Sequence, residues 1–421
     1  MIVLEMEHNR LTYSNCKKIT NSQKYDEKLL CFCFGYAIIV LLKQEVCNML
    51  QTYSLDGFKS FKHYTEVDLK KTQYQTLEKD NVYDGVLKGC MFVGGNASGK
   101  TNVIEGLRFL LYALFSKGDI NYDRFLCLFS DSGMFENTYE FRIDGHSIRY
   151  QIRYQKKDSL LVEYLHVDQQ LMMERIGTNA RSEVSENKFF TDIPSDSLFL
   201  RDLWFNTKFR GHEVLQHWFE FLNQSKYVNP QHPLIVSFKA GGELTIDQYV
   251  KKNGVEALNA FFTECGMDFS LIYRPELKQD DFPLSGLYMK RDGIEVEIPL
   301  SIESLGNKTL MVILPAYLSV IKNGGLLICD EFSSALHNDL EELLVKYFMK
   351  HSKRAQMMIV SHSTNLLSSS LFRPDQLYAV NFDAEGSNLV RFSSEQPRTS
   401  QNYEKMYLGG VFSGLPRYNE I

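Results

Sequence analysis

Hydrophobic and polar positions give the chain three textures. Near the start, "MLQTYSLDGFKSF" reads as a strand running into a turn, with "YTEVDL" (64–69) as its hairpin partner. "VLKGCMFVGG" reads as a short apolar strand entering a Gly-rich loop, and "TNVIEGLRFLLYALF" (101–115) has helical apolar spacing. From about Tyr139 the period becomes two. Ile148, Tyr150, Ile152 and Tyr154 alternate with Arg149, Gln151, Arg153 and Gln155, and "LLVEYLHVD" supplies a further strand. This predicts an antiparallel meander with one wet face, whose arginines could track a phosphate backbone but read better as a solvated face. Residues 178–281 look mixed and mostly helical, with "GHEVLQHWFEFLNQ" and "TIDQYVKKNGVEALNAFFTEC" as the clearest helices. The last third alternates again. A helix "SLGNKTLMVILPAYLSVIKNGG", a buried strand "LLICDE", a capped helix "NDLEELLVKYFMKHSK" and a strand "AQMMIVSHS" make a parallel crossover unit.

Composition narrows this little. The 421 residues suffice for two or three packed units, and a net charge of -6 excludes a generic polyanion binder. The eight cysteines have no C-x-x-C pair, so reduced thiols in a cytoplasmic protein are expected, without zinc. The apolar run at 29–42 is shorter than the roughly 18 to 20 residues of a membrane helix, so no membrane partner is expected. Residues 1–48 hold half the cysteines and this run. Gln44-Glu45-Val46, encoded CAG-GAG-GTN, would contain a bacterial ribosome-binding sequence. The working protein is therefore expected to start at Met49, the rival reading being a hydrophobic anchor from Leu29 to Leu42. The remaining expected divisions are 49–135, with the loop; 136–290, meander and helical insert; and 291–421.

The chemistry lies in "GGNASGKTN", which fits G-x-x-x-x-G-K-[ST] between a strand and a helix. Gly94, Gly95, Asn96, Ala97, Ser98, Gly99, Lys100, Thr101 and Asn102 are the candidate nucleotide contacts. Backbone N–H groups of Gly95 to Thr101 would ring the β-phosphate of ATP at a helix N-terminus. Lys100 would reach the β- and γ-phosphates, and the Thr101 hydroxyl would bind Mg²⁺. In "GGLLICDEF", Asp330 would hold the Mg²⁺ shell and Glu331 would orient or deprotonate the attacking water. In "MMIVSHS", His362 would bond a γ-phosphate and sense its loss. In "IESLGNKTL", Ser304 and Gly306 head a helix with free N–H groups.

In this order, the motifs resemble the ABC-type ATPase head of SMC, RecF and OLD-like proteins. The resemblance implies an α/β P-loop NTPase of ABC/SMC-head type: a mixed sheet, an antiparallel meander and a mostly helical insert. It implies a homodimer through an ATP sandwich, in which "ESLGNK" stands for the signature helix, with Ser304 and Gly306 facing the other subunit's ATP. "SSALH" resembles the D-loop, with His337 where transporters carry Asp. "GFKSF" (57–61), "RPDQLYAVNFDAEGSNLVRFSS" and "NYEKMYLGGVFSGLP" resemble RloA-type AAA ATPases of restriction and abortive-infection loci. The likeness covers 49–416 and implies control of an effector, such as a TOPRIM-like RloB-type protein. A long coiled coil, a TOPRIM domain and an LSGGQ signature are missing from the sequence. Two other classes stay open: a RecF-like clamp on DNA, and an ATP-gated scaffold with little turnover.

Overall fold

The computed structural model describes residues 29–33, 36–40, 48–116, 118–238, 242–244, 246–275 and 286–415. The chain divides into two units, Met1–Val46 and Cys47–Ile421. In the first, the apolar run forms two antiparallel strands, Leu29–Cys33 and Tyr36–Val40, paired Leu29 to Val40. Among the described residues no helix is long and apolar enough to cross a membrane.

The second unit is built on two eight-stranded sheets. One is antiparallel throughout and carries the period-two segments. Its central strands are Leu160–Val167, His146–Gln155, Met134–Ile143 and Asn48–Asp56, with Thr65–Asp68 at one edge. Ile148, Tyr150, Ile152 and Tyr154 point inward and are buried. On the wet face Arg153 meets Glu136 at 2.5 Å and Arg149 meets Glu140 at 3.9 Å, so both arginines already face a carboxylate.

The other sheet has a parallel core in the order Lys226–Asn229, Gly325–Cys329, Ala355–Val360, Gly89–Gly94 and Leu377–Asp383. Antiparallel strands close both edges: His232–Ser237 then Gly242–Leu244 on one side, Gly386–Arg391 on the other. Its strands Gly89–Gly94, Gly325–Cys329 and Ala355–Val360 are short, largely apolar runs because both faces are covered. Cys90, Phe92, Leu326, Ile328, Met358 and Val360 face a core shared with the antiparallel sheet. The helices Lys100–Phe115 and Glu213–Gln224 contribute Leu107, Leu111, Trp218 and Leu222 to it. The alternate residues Met91, Val93, Leu327, Cys329, Met357 and Ile359 face a second core with Leu310, Leu314 and Tyr317 of Leu305–Asn323 and Leu344 and Phe348 of Asn338–His351. Burying each such side chain contributes about 1.5–3 kcal/mol.

Two contacts lock the sheets together. Gln356, fully buried, accepts from Leu50 N at 2.7 Å and donates to Leu50 O at 2.9 Å, beside a bulge between Leu50 and Thr52. Gly106 lets the helix Lys100–Phe115 sit against the antiparallel sheet, since an added Cβ would meet Leu55 Cδ2 at 2.5 Å. Tyr139 Oη then donates to Gly106 O at 2.7 Å.

The middle region differs from the sequence reading in two ways. Lys226–Asn229, expected to lie in a mostly helical insert, is a strand of the parallel core. The long helix expected around residue 254 is two helices, Ile246–Asn253 and Glu256–Glu264, because Gly254 breaks it at φ +75°.

Candidate nucleotide site at the strand ends

Three neighbouring parallel strands deliver the candidate residues to one end of the sheet. Gly89–Gly94 leads into the loop, Gly325–Cys329 ends at Asp330 and Glu331, and Ala355–Val360 ends at Ser361 and His362. Carboxyl ends of parallel strands are where open α/β sheets bind ligands. A cavity there is lined by Gly95 to Asn102, Glu331 and His362.

The loop is held in shape from behind. Gly99 has φ +102°, and an added Cβ would lie 2.2 Å from Ser387 Oγ and 2.7 Å from Ser60 Oγ, so only glycine fits. Ser387 Oγ lies 2.7 Å from both Ser98 O and Ser60 Oγ, and Asn102 Nδ2 donates to Ser60 Oγ at 2.8 Å. Gly94 is equally confined, with Val380 O 2.4 Å from an added Cβ. Ala97, at φ +60°, carries the loop through a left-handed turn.

Lys100 is buried and donates to Gly94 O at 3.0 Å and Gly95 O at 2.7 Å. Burial lowers its pKa, with Glu331 and Asp330 pulling in the opposite direction. Thr101 Oγ1 donates to Asp330 Oδ1 at 3.2 Å. Burial raises the Asp330 pKa, and the Thr101 hydrogen bond opposes that rise. Glu331 sits at φ +56° on a sharp turn, and His362 Nε2 lies 3.6 Å from its Oε1. The turn after Glu331 is tied to the histidine loop, since the Ser333 and Ser361 hydroxyls bond each other and Ser361 Oγ accepts from Ser363 N at 2.9 Å.

Lys100, Thr101, Asp330, Glu331 and His362 therefore converge, while Ser304 and Gly306 stand outside the cavity wall. Ser304 N-caps the helix Leu305–Asn323, accepting from Asn307 N at 3.2 Å. Gly306 packs against the turn after Glu331, with Ala335 O 2.9 Å from an added Cβ. His337 is exposed and caps the next helix, its Nδ1 accepting from Asp339 N at 3.3 Å.

Two of the amides from Gly95 to Thr101 already have partners within the protein: Gly95 N donates to Gly414 O at 2.9 Å and Ser98 N to Gly95 O at 3.3 Å. The sequence reading also missed the other wall of the cavity: Lys59, Ser60, Arg124, Leu128, Phe129 and Phe382, with the Phe129 and Phe382 rings 5.3 Å apart edge to face. Lys59 and Ser60 lie in "GFKSF", a stretch singled out for its family likeness but given no chemistry. Among the described residues no group of three or more His, Cys, Asp or Glu side chains is placed to hold a metal ion by itself. Cys90, Cys127, Cys265 and Cys329 are free thiols.

A glycine loop between strand and helix, a buried lysine, and a threonine on that helix bonded to the aspartate that ends the next strand but one define a P-loop NTPase domain. Residues 91–368 match the family model described as "AAA domain, putative AbiEii toxin, Type IV TA system". The chain belongs to that family. Among solved structures it is similar to the SMC head domain from Thermotoga maritima, at 16% identity over 81% of this chain and 98% of that one, with a TM-score of 0.46. It is similar to an SmcHead bound to the C-winged helix domain of ScpA, at 15% identity over 81% and 96%, TM-score 0.48. A third is an Smc head domain with an extended coiled coil bound to the C-terminal domain of ScpA derived from Pyrococcus furiosus, at 11% over 82% and 96%, TM-score 0.45. No curated protein matches the chain.

Proposed function

We propose that the chain binds ATP with Mg²⁺ at the strand-end cavity and hydrolyses it. The observation that carries this is the 3.2 Å contact between Thr101 Oγ1 and Asp330 Oδ1, beside the buried Lys100 amine. A hydroxyl and a carboxylate are hard oxygen donors of the kind Mg²⁺ takes alongside phosphate and water. When bound, Mg²⁺ neutralises charge on the β- and γ-phosphate oxygens. The chain's own residues supply the rest. The amides from Asn96 to Thr101 and the helix N-terminus hold phosphate. Lys100 exchanges its two carbonyl partners for phosphate oxygens. Glu331 accepts the proton of the attacking water, and His362, 3.6 Å from it, meets the γ-phosphate side of that water.

The reading extends to assembly. Ser304 and Gly306 lie at a helix N-terminus outside their own chain's cavity wall, as a device that completes a second copy's site would. Association of two ATP-bound heads would then control an effector in antiphage defence, a reading that rests on the likeness of "GFKSF" and the C-terminal stretches to RloA-type proteins. The paired Arg149 and Arg153 argue against DNA on the wet face.

Two experiments test this. Lys100→Ala should weaken ATP binding about 10²-fold or more in calorimetry, since charge-assisted bonds to phosphate are lost. Unchanged affinity would remove the loop from the mechanism. In a hydrolysis-deficient background with ATP and Mg²⁺, light scattering should show association of heads with Gly306 and none with Gly306→Glu. Equal association would remove this helix from the interface.

A further inference from the structure

The cavity has a wall that the proposed chemistry does not use, formed by the turn after the last helix. Tyr403–Leu408 is a short helix, and Gly410, Ser413, Gly414 and Leu415 beyond it line the cavity beside the glycine loop. The turn is firmly rooted. Tyr403, Tyr407 and Phe412 are buried in the second core, and Phe412 stacks on Phe392 with ring centroids 3.7 Å apart and planes 11° apart. Gly414 has φ +80°, and its Cα sits so close that an added Cβ would meet Ala379 Cβ, Asn381 Oδ1 and Tyr407 Cε2, each at 3.3 Å.

The Gly414 carbonyl is the point of contact. It accepts from Gly95 N at 2.9 Å and from Tyr407 Oη at 3.0 Å, which fills both lone pairs. The first turn of the glycine loop is thus pinned to a carbonyl that is itself pinned by a phenol. The same helix reaches the histidine loop, where Thr364 Oγ1 donates to Glu404 Oε1 at 2.6 Å. One segment therefore touches both the loop that would hold phosphate and the loop that carries His362. Preorganised phosphate-binding amides need a fixed backbone behind them, because a loop that must order on binding loses affinity to that ordering.

We infer that residues 402–415 form a strap that positions the phosphate loop for nucleotide, with Tyr407 as a positioning residue acting through Gly414 on Gly95. The inference rests on the reading of the cavity as an ATP site. It implies that the ring of phosphate-binding amides begins at Asn96, with Gly95 reserved for the strap.

Tyr407→Phe removes the hydroxyl and keeps the ring. ATP–Mg²⁺ affinity, thermal midpoint and amide-resolved hydrogen exchange would be measured on the full chain. The variant should bind ATP roughly three- to ten-fold more weakly, the effect of one hydrogen bond, and the Gly95 amide should exchange faster than in the parent. A lowered midpoint with unchanged affinity would mean that Tyr407 is merely structural and would overturn the strap. The unaltered protein gives a second test that needs no variant. Without nucleotide the Gly95 amide should already be protected, while the amides from Asn96 to Thr101, apart from that of Ser98, which already donates to Gly95 O at 3.3 Å, gain protection only with ATP. A freely exchanging Gly95 amide would overturn the strap alone. Failure of the unaltered protein to bind ATP would overturn both the strap and the ATP reading.

Discussion

Asp330 and Asp375 are both buried at ends of the same sheet, yet their surroundings differ in kind. Asp330 follows the strand Gly325–Cys329, and Asp375 precedes the strand Leu377–Asp383, so in a parallel sheet they lie at opposite ends. Asp375 is fully compensated. Arg373 grips it with Nε on Oδ1 and Nη2 on Oδ2, both at 2.8 Å, while Thr72 donates its amide at 2.8 Å and its hydroxyl at 2.7 Å. Burial works to raise its pKa, but the guanidinium and the Thr72 groups outweigh this and hold it below the usual carboxylate range. Asp330 has the Thr101 hydroxyl and no Lys or Arg within salt-bridge reach among the described residues, and burial pushes its pKa up. The amino end of the sheet is finished structure. The carboxyl end keeps a carboxylate whose side-chain partner is a hydroxyl rather than a guanidinium, as the proposed Mg²⁺ site requires.

The comparison yields predictions of opposite sign. Asp375→Asn leaves Arg373 buried beside a neutral amide and should cost about 3–5 kcal/mol in denaturant unfolding at neutral pH. Because the native pKa of Asp375 is depressed, its stabilisation is present above the ordinary carboxylate pKa of about 4 and is lost as pH falls through the native value. The gap between parent and variant should therefore close in acid. Asp330→Asn should behave otherwise. The native pKa of Asp330 is raised, so its charge costs stability above that value, and the cost fades as pH falls through it towards the ordinary carboxylate pKa of about 4. The ligand-free variant should melt no lower than the parent, while Mg²⁺-dependent phosphate release drops at least about 10²-fold. Parent ATP–Mg²⁺ binding should weaken as pH falls through the same raised pKa. A melting loss for Asp330→Asn equal to that for Asp375→Asn would erase the distinction.

Much of the finished structure was legible because it obeys periodicity. The alternation from Ile148 to Tyr154 predicted a one-sided sheet, and the apolar runs before Gly94, Asp330 and Ser361 predicted buried strands. The loop was legible because the close approach of Val380, Ser387 and Ser60 restricts Gly94 and Gly99 to glycine. What escaped depends on tertiary partners. Lys226–Asn229 is a four-residue strand with no pattern of its own, and it becomes a strand by pairing with Leu327 and Cys329. Arg373 and Asp375 lie in a stretch noted only for its family likeness, yet both are fully buried because each supplies what the other lacks. The grip of Gly414 on Gly95 joins residues far apart in sequence, and no local signal marks a carbonyl as an acceptor for a distant loop.

The central claim is that the cavity hydrolyses ATP and that Glu331 takes the proton of the attacking water. Glu331→Gln preserves shape and removes the base. The decisive measurement is ATP affinity and steady-state phosphate release on this one variant with Mg²⁺ present. ATP should bind as in the parent, and release should fall about 10²- to 10⁴-fold, the span of general-base contributions. Turnover at the parent rate would contradict the account.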